Sequence, residues 1–141
     1  MKESQFRLKL KKILESRGWL VFTLAPPVRT IVKDGETIWI PSKGQLFDLV
    51  AIKNQIGIPI EVKGIKTYYS KKQKNEQIIS AEKANCAFAM IREAAGGKMM
   101  LNFPNQRFAS DLKLAAQLEE DLKEYLYPRP IKNNDITRSA R

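Results

Sequence analysis

The sequence predicts an α/β (α+β) fold in which a central mixed sheet is flanked by helices, and three observations predict it. Residues 3 to 17 and 110 to 126 carry apolar side chains at helical spacing. Between them lie shorter β-prone runs bounded by Pro, Gly and Asp-Gly. The order helix, strand, hairpin, strand, strand, helix, strand describes helices packed on a sheet.

The elements follow in order. Phe6, Leu10, Ile13 and Leu14 form one stripe of the first helix, and Gly18 stops it. GWLVFTL reads as the first strand, ended by Pro26-Pro27. In TIVKDGETIWI, Asp34-Gly35 sits between two β-prone runs, a two-residue hairpin signal. The loop PSKGQ then leads into FDLVAIKNQIGIPIEVKG, read as two antiparallel strands joined through KNQIG. Residues 70 to 84 are again helical, with Ser70 as N-cap and Gln73, Gln77, Ala81 and Ala84 along one side. CAFAMIR is a further core strand, Gly96-Gly97 a turn and KMMLNF another strand. SDLKLAAQLEEDLKEYLY forms an amphipathic helix capped by Ser110, with Leu112, Ala115, Leu118, Leu122 and Tyr125 on its apolar face. The segment YPRPIKNNDITRSAR has no apolar period. Residues 1–127 are therefore expected to form one domain, and 128–141 a basic, flexible tail.

At 141 residues the chain supports a single modest core. Its 25 Lys and Arg against 15 Asp and Glu give a charge of +10, which favours a polyanionic partner, nucleic acid before a membrane surface. There is no His, which excludes His-based nucleophilic triads, His-ligated metal and a His general base. Cys86 alone supports neither an intrachain disulfide nor a multi-Cys zinc site. Its run CAFAMI suggests a buried thiol in a reducing compartment. No run reaches bilayer-spanning length and KESQFRLKLKK lacks a leader pattern, so the expected location is cytoplasmic, without membrane contact.

One place resists a purely structural reading. Side chains two apart on a strand share a face, so Glu61 and Lys63 project together while Ile60 and Val62 enter the core. Antiparallel pairing through KNQIG brings Asp48 near them. Two carboxylates that close repel unless something neutralises them, and Mg²⁺, with its preference for hard oxygen ligands and phosphate, does so. Lys63 beside the ion would hold an attacking water or steady developing phosphate charge. Without His, metal-assisted phosphoryl transfer is the chemistry this trio supports. Acid-x-Lys is also frequent on solvated strand faces, so the bare pattern does not select between the two readings.

The surroundings do. Asp48 followed by Glu61-Val62-Lys63 resembles the PD-(D/E)xK nuclease superfamily, and the context resembles its VRR-NUC (virus-type replication-repair nuclease) branch over about residues 3 to 92. That context comprises Glu3 on the first helix, Arg17-Gly18-Trp19, Lys43-Gly44 ahead of the Asp, Ser70-Lys-Lys-Gln73 in the manner of a Ser-x-x-Gln signature, and the strand Ala87 to Arg92. Phe47 replaces the usual Pro, the segment from Pro26 to Pro41 exceeds the minimal pattern, and the last 40 or so residues match no known part of it. The resemblance implies a restriction-endonuclease-like fold, an αβββαβ core with an added β-hairpin. It also implies a Mg²⁺-dependent endodeoxyribonuclease of repair or recombination, with Mn²⁺ as a substitute and a phage or mobile element as a compatible source. By the same resemblance Asp48, Glu61 and the Val62 carbonyl ligate the metal, and Glu3 completes the shell directly or through water. Lys63 positions or activates water, and Gln73 holds the lysine or a water. Glu3 is equally an acid favouring a helix N-terminus, Gln73 an ordinary first-turn residue, and Gly44 a tight turn.

Lys43, Lys53, Lys66, Lys71, Lys72 and Lys74 are expected to flank the site, with Arg29 and Lys33 on the hairpin, as candidate phosphate contacts; such contacts give affinity without sequence information. Trp39 and Tyr68-Tyr69 are candidates for base stacking, and Trp39 equally for hairpin packing. The expected substrate is branched, junction or flap DNA. The rivals are a small site-specific restriction or homing endonuclease, a non-catalytic DNA-binding or assembly module, and an RNA-processing subunit. Cutting both strands calls for a homodimer, to which helix 110 to 126 contributes unless it simply covers the sheet.

Overall fold

The computed structural model describes residues 2–24, 28–41, 46–105 and 109–127. The amphipathic first segment forms α1 (Glu3–Ser16), which buries Phe6, Leu10, Ile13 and Leu14. β1 (Leu20–Thr23), β2 (Val28–Lys33), β3 (Glu36–Pro41), β4 (Leu49–Lys53) and β5 (Ile56–Lys63) follow, then α2 (Lys71–Lys83), β6 (Ala89–Glu93), a short 3₁₀ turn at Ala95–Gly97, β7 (Met99–Asn102) and α3 (Ala109–Leu122).

Five strands form one mixed sheet in the order β1-β4-β5-β6-β7. Among the strands of the described residues only the β5–β6 pair is parallel, because α2 carries the chain across between them. α1, β1, β4, β5, α2 and β6 make up the expected αβββαβ core. β2 and β3 form the added hairpin, a separate two-stranded sheet turning at Asp34-Gly35. Both turn residues have positive φ, 53° and 77°, as a hairpin turn matched to strand twist requires. β4 and β5 turn in the same manner through Asn54-Gln55, also at positive φ (53° and 68°).

The alternation of β4, β5 and β6 sorts their side chains between two layers. Leu49, Ala51, Ile58, Ile60, Val62, Ala89 and Ile91 enter one core with α1 and with Leu114, Leu118 and Leu122 of α3. α2 lies on the opposite face, where Gln77 and Ala81 are its buried residues. Ser70 caps it as expected, its hydroxyl accepting from the Gln73 amide at 3.1 Å.

Four details depart from the sequence expectation. α3 begins at Ala109, so Ser110 lies within the helix and not at its cap. It ends at Leu122, and residues 123–127 turn back instead: Met99 N–H donates to the Tyr125 carbonyl and Tyr127 N–H to the Met99 carbonyl, each at 2.8 Å. The edge of β7 gains backbone partners that a continued helix could not supply. α2 ends at Lys83, so Ala84 is its exposed C-cap and not a helical residue. Cys86 is half-buried rather than buried. The expected tail, 128–141, lies outside the described residues.

Candidate active site

Asp48 stands just before β4, and its backbone N–H donates to the Ile60 carbonyl at 3.1 Å, extending the β4–β5 ladder to the end that carries Glu61 and Lys63. Its Oδ2 accepts from the Val62 N–H at 2.8 Å. The carboxylate is therefore fixed across the strand from Glu61. Glu61 and Lys63 are 4% and 6% exposed, although they point away from the apolar core. Two ionisable groups this deeply placed need partners. The helix above them supplies amides.

The partners form a chain. Lys63 Nζ donates to Gln73 Oε1 at 3.0 Å, and Gln73 Nε2 donates to Glu61 Oε2 at 3.2 Å. Gln77 Nε2 also donates to Glu61 Oε2, and to the Leu46 carbonyl at 2.7 Å. The Tyr69 hydroxyl donates to Gln77 Oε1. The Lys63 ammonium lies 5.3 Å from the centre of the Tyr69 ring, a cation–π contact.

The electrostatics follow from this packing. Burial pushes the Glu61 carboxyl up to about 8, helped by the hydrogen bond and the charge of Asp48 beside it; Gln77 and Lys63 oppose the rise without cancelling it. Burial, then the Glu61 charge, pushes the Tyr69 phenol up to about 12. Two carboxyls in hydrogen-bonding contact are favourable only with a proton or a cation between them. Hard oxygen donors of this kind fit a hard divalent cation. With a lysine held alongside, the arrangement has the parts for polarising a phosphate and orienting a water.

The structure brings Asp48, Glu61, Lys63 and Gln73 together. It does not bring Glu3 to the acid pair: Glu3 Oε2 accepts from the Thr67 hydroxyl at 3.0 Å. Among the described residues no three of Asp, Glu, His or Cys group closely enough to hold a metal. Arg7, one turn along from Glu3, instead meets Asp48 Oδ1 at 3.4 Å. Arg92 donates to the carbonyls of Gly64, at 2.9 Å, and Thr67, fixing the loop after β5. A Cβ on Gly64 would stand 3.0 Å from the Thr67 hydroxyl, so the glycine allows this close approach.

Lys33, Lys66, Lys71 and Lys72 are exposed. Arg29 lies on β2, while Lys43 and Gly44 fall outside the described residues, as do the side chains of Arg29 and Trp39. Lys53 is at the opposite end of β4 from Asp48: its Nζ donates to Asp121 at 2.8 Å and to the Arg17 carbonyl at 2.7 Å. It ties α3 to the sheet and does not flank the site. Tyr68 is exposed, but the Tyr69 hydroxyl is committed to Gln77. The sequence reading gave no role to Arg7 or Gln77. Helical spacing puts Gln77 on the face of Gln73 and Arg7 on that of Glu3, four residues on in each case, but does not say what those faces meet.

No protein-family model matches the chain, and no curated protein matches it in sequence. Its fold is similar to that of Archaeoglobus fulgidus Hjc, a Holliday junction resolvase from an archaeal hyperthermophile. The TM-score is 0.53 at 18% identity, over 75% of this chain and 82% of that one. The crystal structure of SSO0001 is similar at a TM-score of 0.43 and 16% identity, over 90% of this chain and 61% of that one. The class that the fold defines is thus a mixed α+β protein, its central mixed sheet flanked by helices as in the resolvase.

Proposed function

We propose that this chain is a divalent-metal-dependent DNA endonuclease of PD-(D/E)xK type, VRR-NUC-like, hydrolysing phosphodiester bonds in branched, junction or flap DNA. The observation that carries the reading is the placing of Asp48, bonded to the Val62 amide, beside buried Glu61 on the neighbouring strand, with Lys63 alongside and held by Gln73. The fold shared with a Holliday junction resolvase supports the branched-DNA preference, and the charge of +10 supports a nucleic-acid partner. Asp48, Glu61 and the Val62 carbonyl would hold the ion, with Glu3 reaching it through water from its place on Thr67. Mg²⁺, or Mn²⁺ in its stead, would supply Lewis-acid polarisation of the phosphate and a more acidic bound water.

The chain's own residues do the rest. Asp48 is fixed by the Val62 N–H on Oδ2 and faces Arg7 with Oδ1, so its carboxylate keeps one orientation. Lys63 orients the water and stands near the charge that develops on phosphate oxygens. Gln73 keeps its ammonium from collapsing onto Glu61 by taking it on the amide oxygen. Arg29, Lys33, Lys43, Lys66, Lys71 and Lys72 would line the path of the backbone. Each site cuts one strand, so a homodimer would resolve a junction, in the cytoplasm.

The test is cleavage of labelled linear, splayed, flap and four-way DNA, with an RNA hairpin alongside, in Mg²⁺, Mn²⁺ or EDTA. Cation-dependent cutting of branched DNA is expected. Cutting at a fixed sequence in linear duplex would favour a site-specific endonuclease, RNA cleavage an RNA-processing enzyme, and binding without cleavage a non-catalytic module.

A further inference from the structure

Gln77 is wholly buried, and its amide makes every bond it can direct inward. One amide nitrogen reaches both Glu61 Oε2 and the carbonyl of Leu46, two residues before Asp48. It therefore spans the two backbone segments that carry the acids. An amide presents its donors one way and its oxygen the other, and rotated by half a turn Gln77 would aim its oxygen at Glu61. The Leu46 carbonyl, which can only accept, keeps the nitrogen on the acid side, and the Tyr69 hydroxyl holds the other end of the amide by donating to Gln77 Oε1.

The consequence falls on Glu61. Its Oε2 receives two amide donors, from Gln73 and Gln77, which commits that oxygen to the helix. The other oxygen is taken by neither amide. We propose that Tyr69 and Gln77 form a positioning pair that fixes the orientation of Glu61 and its spacing from Asp48, and so sets the affinity of the acid pair for a divalent cation. Neither residue touches the reacting atoms. The inference rests on the metal-dependent reading above and assigns to it two residues outside the Ser-x-x-Gln signature. Groups that orient a ligand from behind change cation affinity or activity by about 10- to 100-fold when removed.

The experiment uses the full chain and two substitutions. Tyr69→Phe keeps the ring beside Lys63 and loses only the hydroxyl; Gln77→Met keeps the volume and loses the amide. Mn²⁺ titration calorimetry without DNA should show affinity weaker by about 10-fold in each. DNA binding in EDTA should be unchanged, and the Tm of Tyr69→Phe should stay within about 2 °C of wild type, which a merely structural role would not combine with lost cation affinity. Side-chain amide exchange by NMR in the metal-free protein reads the orientation separately: Gln77 protons should be protected in wild type and exchange at least about 10-fold faster in Tyr69→Phe. Should Gln77→Met not fold, Tyr69→Phe decides alone. Wild-type Mn²⁺ affinity in Tyr69→Phe, or unchanged Gln77 protection, overturns the positioning pair while leaving the nuclease reading in place. A wild-type chain that binds no Mn²⁺ overturns that reading and this inference together.

Discussion

At the scale of single residues, the decisive fact is how little room Asp48 and Glu61 have to be ordinary. A surface acid would be solvated, whereas Glu61 is buried, raised to about 8 and faces a second carboxyl. Asp48→Asn should therefore relieve the repulsion and remove a proposed ligand together. Folding is expected to be retained, with Mn²⁺ affinity falling by at least about 10-fold in calorimetry; an unchanged titration would remove Asp48 from the site. The residue pattern was legible in the sequence because strand alternation alone puts Glu61 and Lys63 on one face. The reading of Asp48 across the hairpin followed from pairing. What could not be read was which helical residues would lie over them. Gln77 looked like a member of a packed side with Ala81, and only tertiary packing sets it on Glu61 and on Leu46. Arg7 on Asp48 was equally hidden, since a helix stripe of Phe6, Leu10 and Leu14 gives the buried face but not what its polar border meets.

At the scale of elements, two joints carry most of the architecture around the site. The β4–β5 turn holds Gln55 at φ 68°, a left-handed conformation that costs an ordinary residue about 1–2 kcal/mol. Gln55→Gly should give the favoured Asn-Gly turn and raise stability by about 1 kcal/mol in urea unfolding, with the site untouched. The second joint is the far end of β4, where Asp121 of α3 accepts from Lys53, Trp19 and Gln117. Burial works against ionisation of Asp121, but these hydrogen bonds and the Lys53 charge outweigh it and hold its carboxyl below the usual aspartate range. A lowered folded pKa means stability that is present above the unfolded value of about 3.9 and lost as pH falls through the folded one. Asp121→Asn should thus destabilise by about 2 kcal/mol at pH 7, and the gap from wild type should shrink below about pH 4. A gap constant with pH would show that the charge contributes nothing. Element identity was largely readable from periodicity and turn residues. The end of α3 was not: apolar Tyr125 and Leu126 fit a continued helix, yet the unpaired edge of β7 draws that backbone into a bridge with Met99.

At the scale of the whole molecule, the net charge bears on the partner and the fold on the site. A net charge of +10 favours a phosphate backbone without choosing a sequence. If the six candidate basic residues each neutralise one phosphate, log K should fall with log salt at a slope near −5 on duplex arms. Lys71→Ala with Lys72→Ala should reduce that slope by about 2, and an unchanged slope would place those lysines off the DNA. The proposed reaction rests on the acid pair and its lysine. The most direct measurement is single-turnover cleavage of a labelled four-way junction in Mg²⁺ by wild type and Lys63→Ala, with junction affinity measured in EDTA. Cleavage by wild type, its loss in Lys63→Ala by about 10³-fold or more, and equal affinity of the two proteins are expected. Cleavage by Lys63→Ala at the wild-type rate would contradict the account.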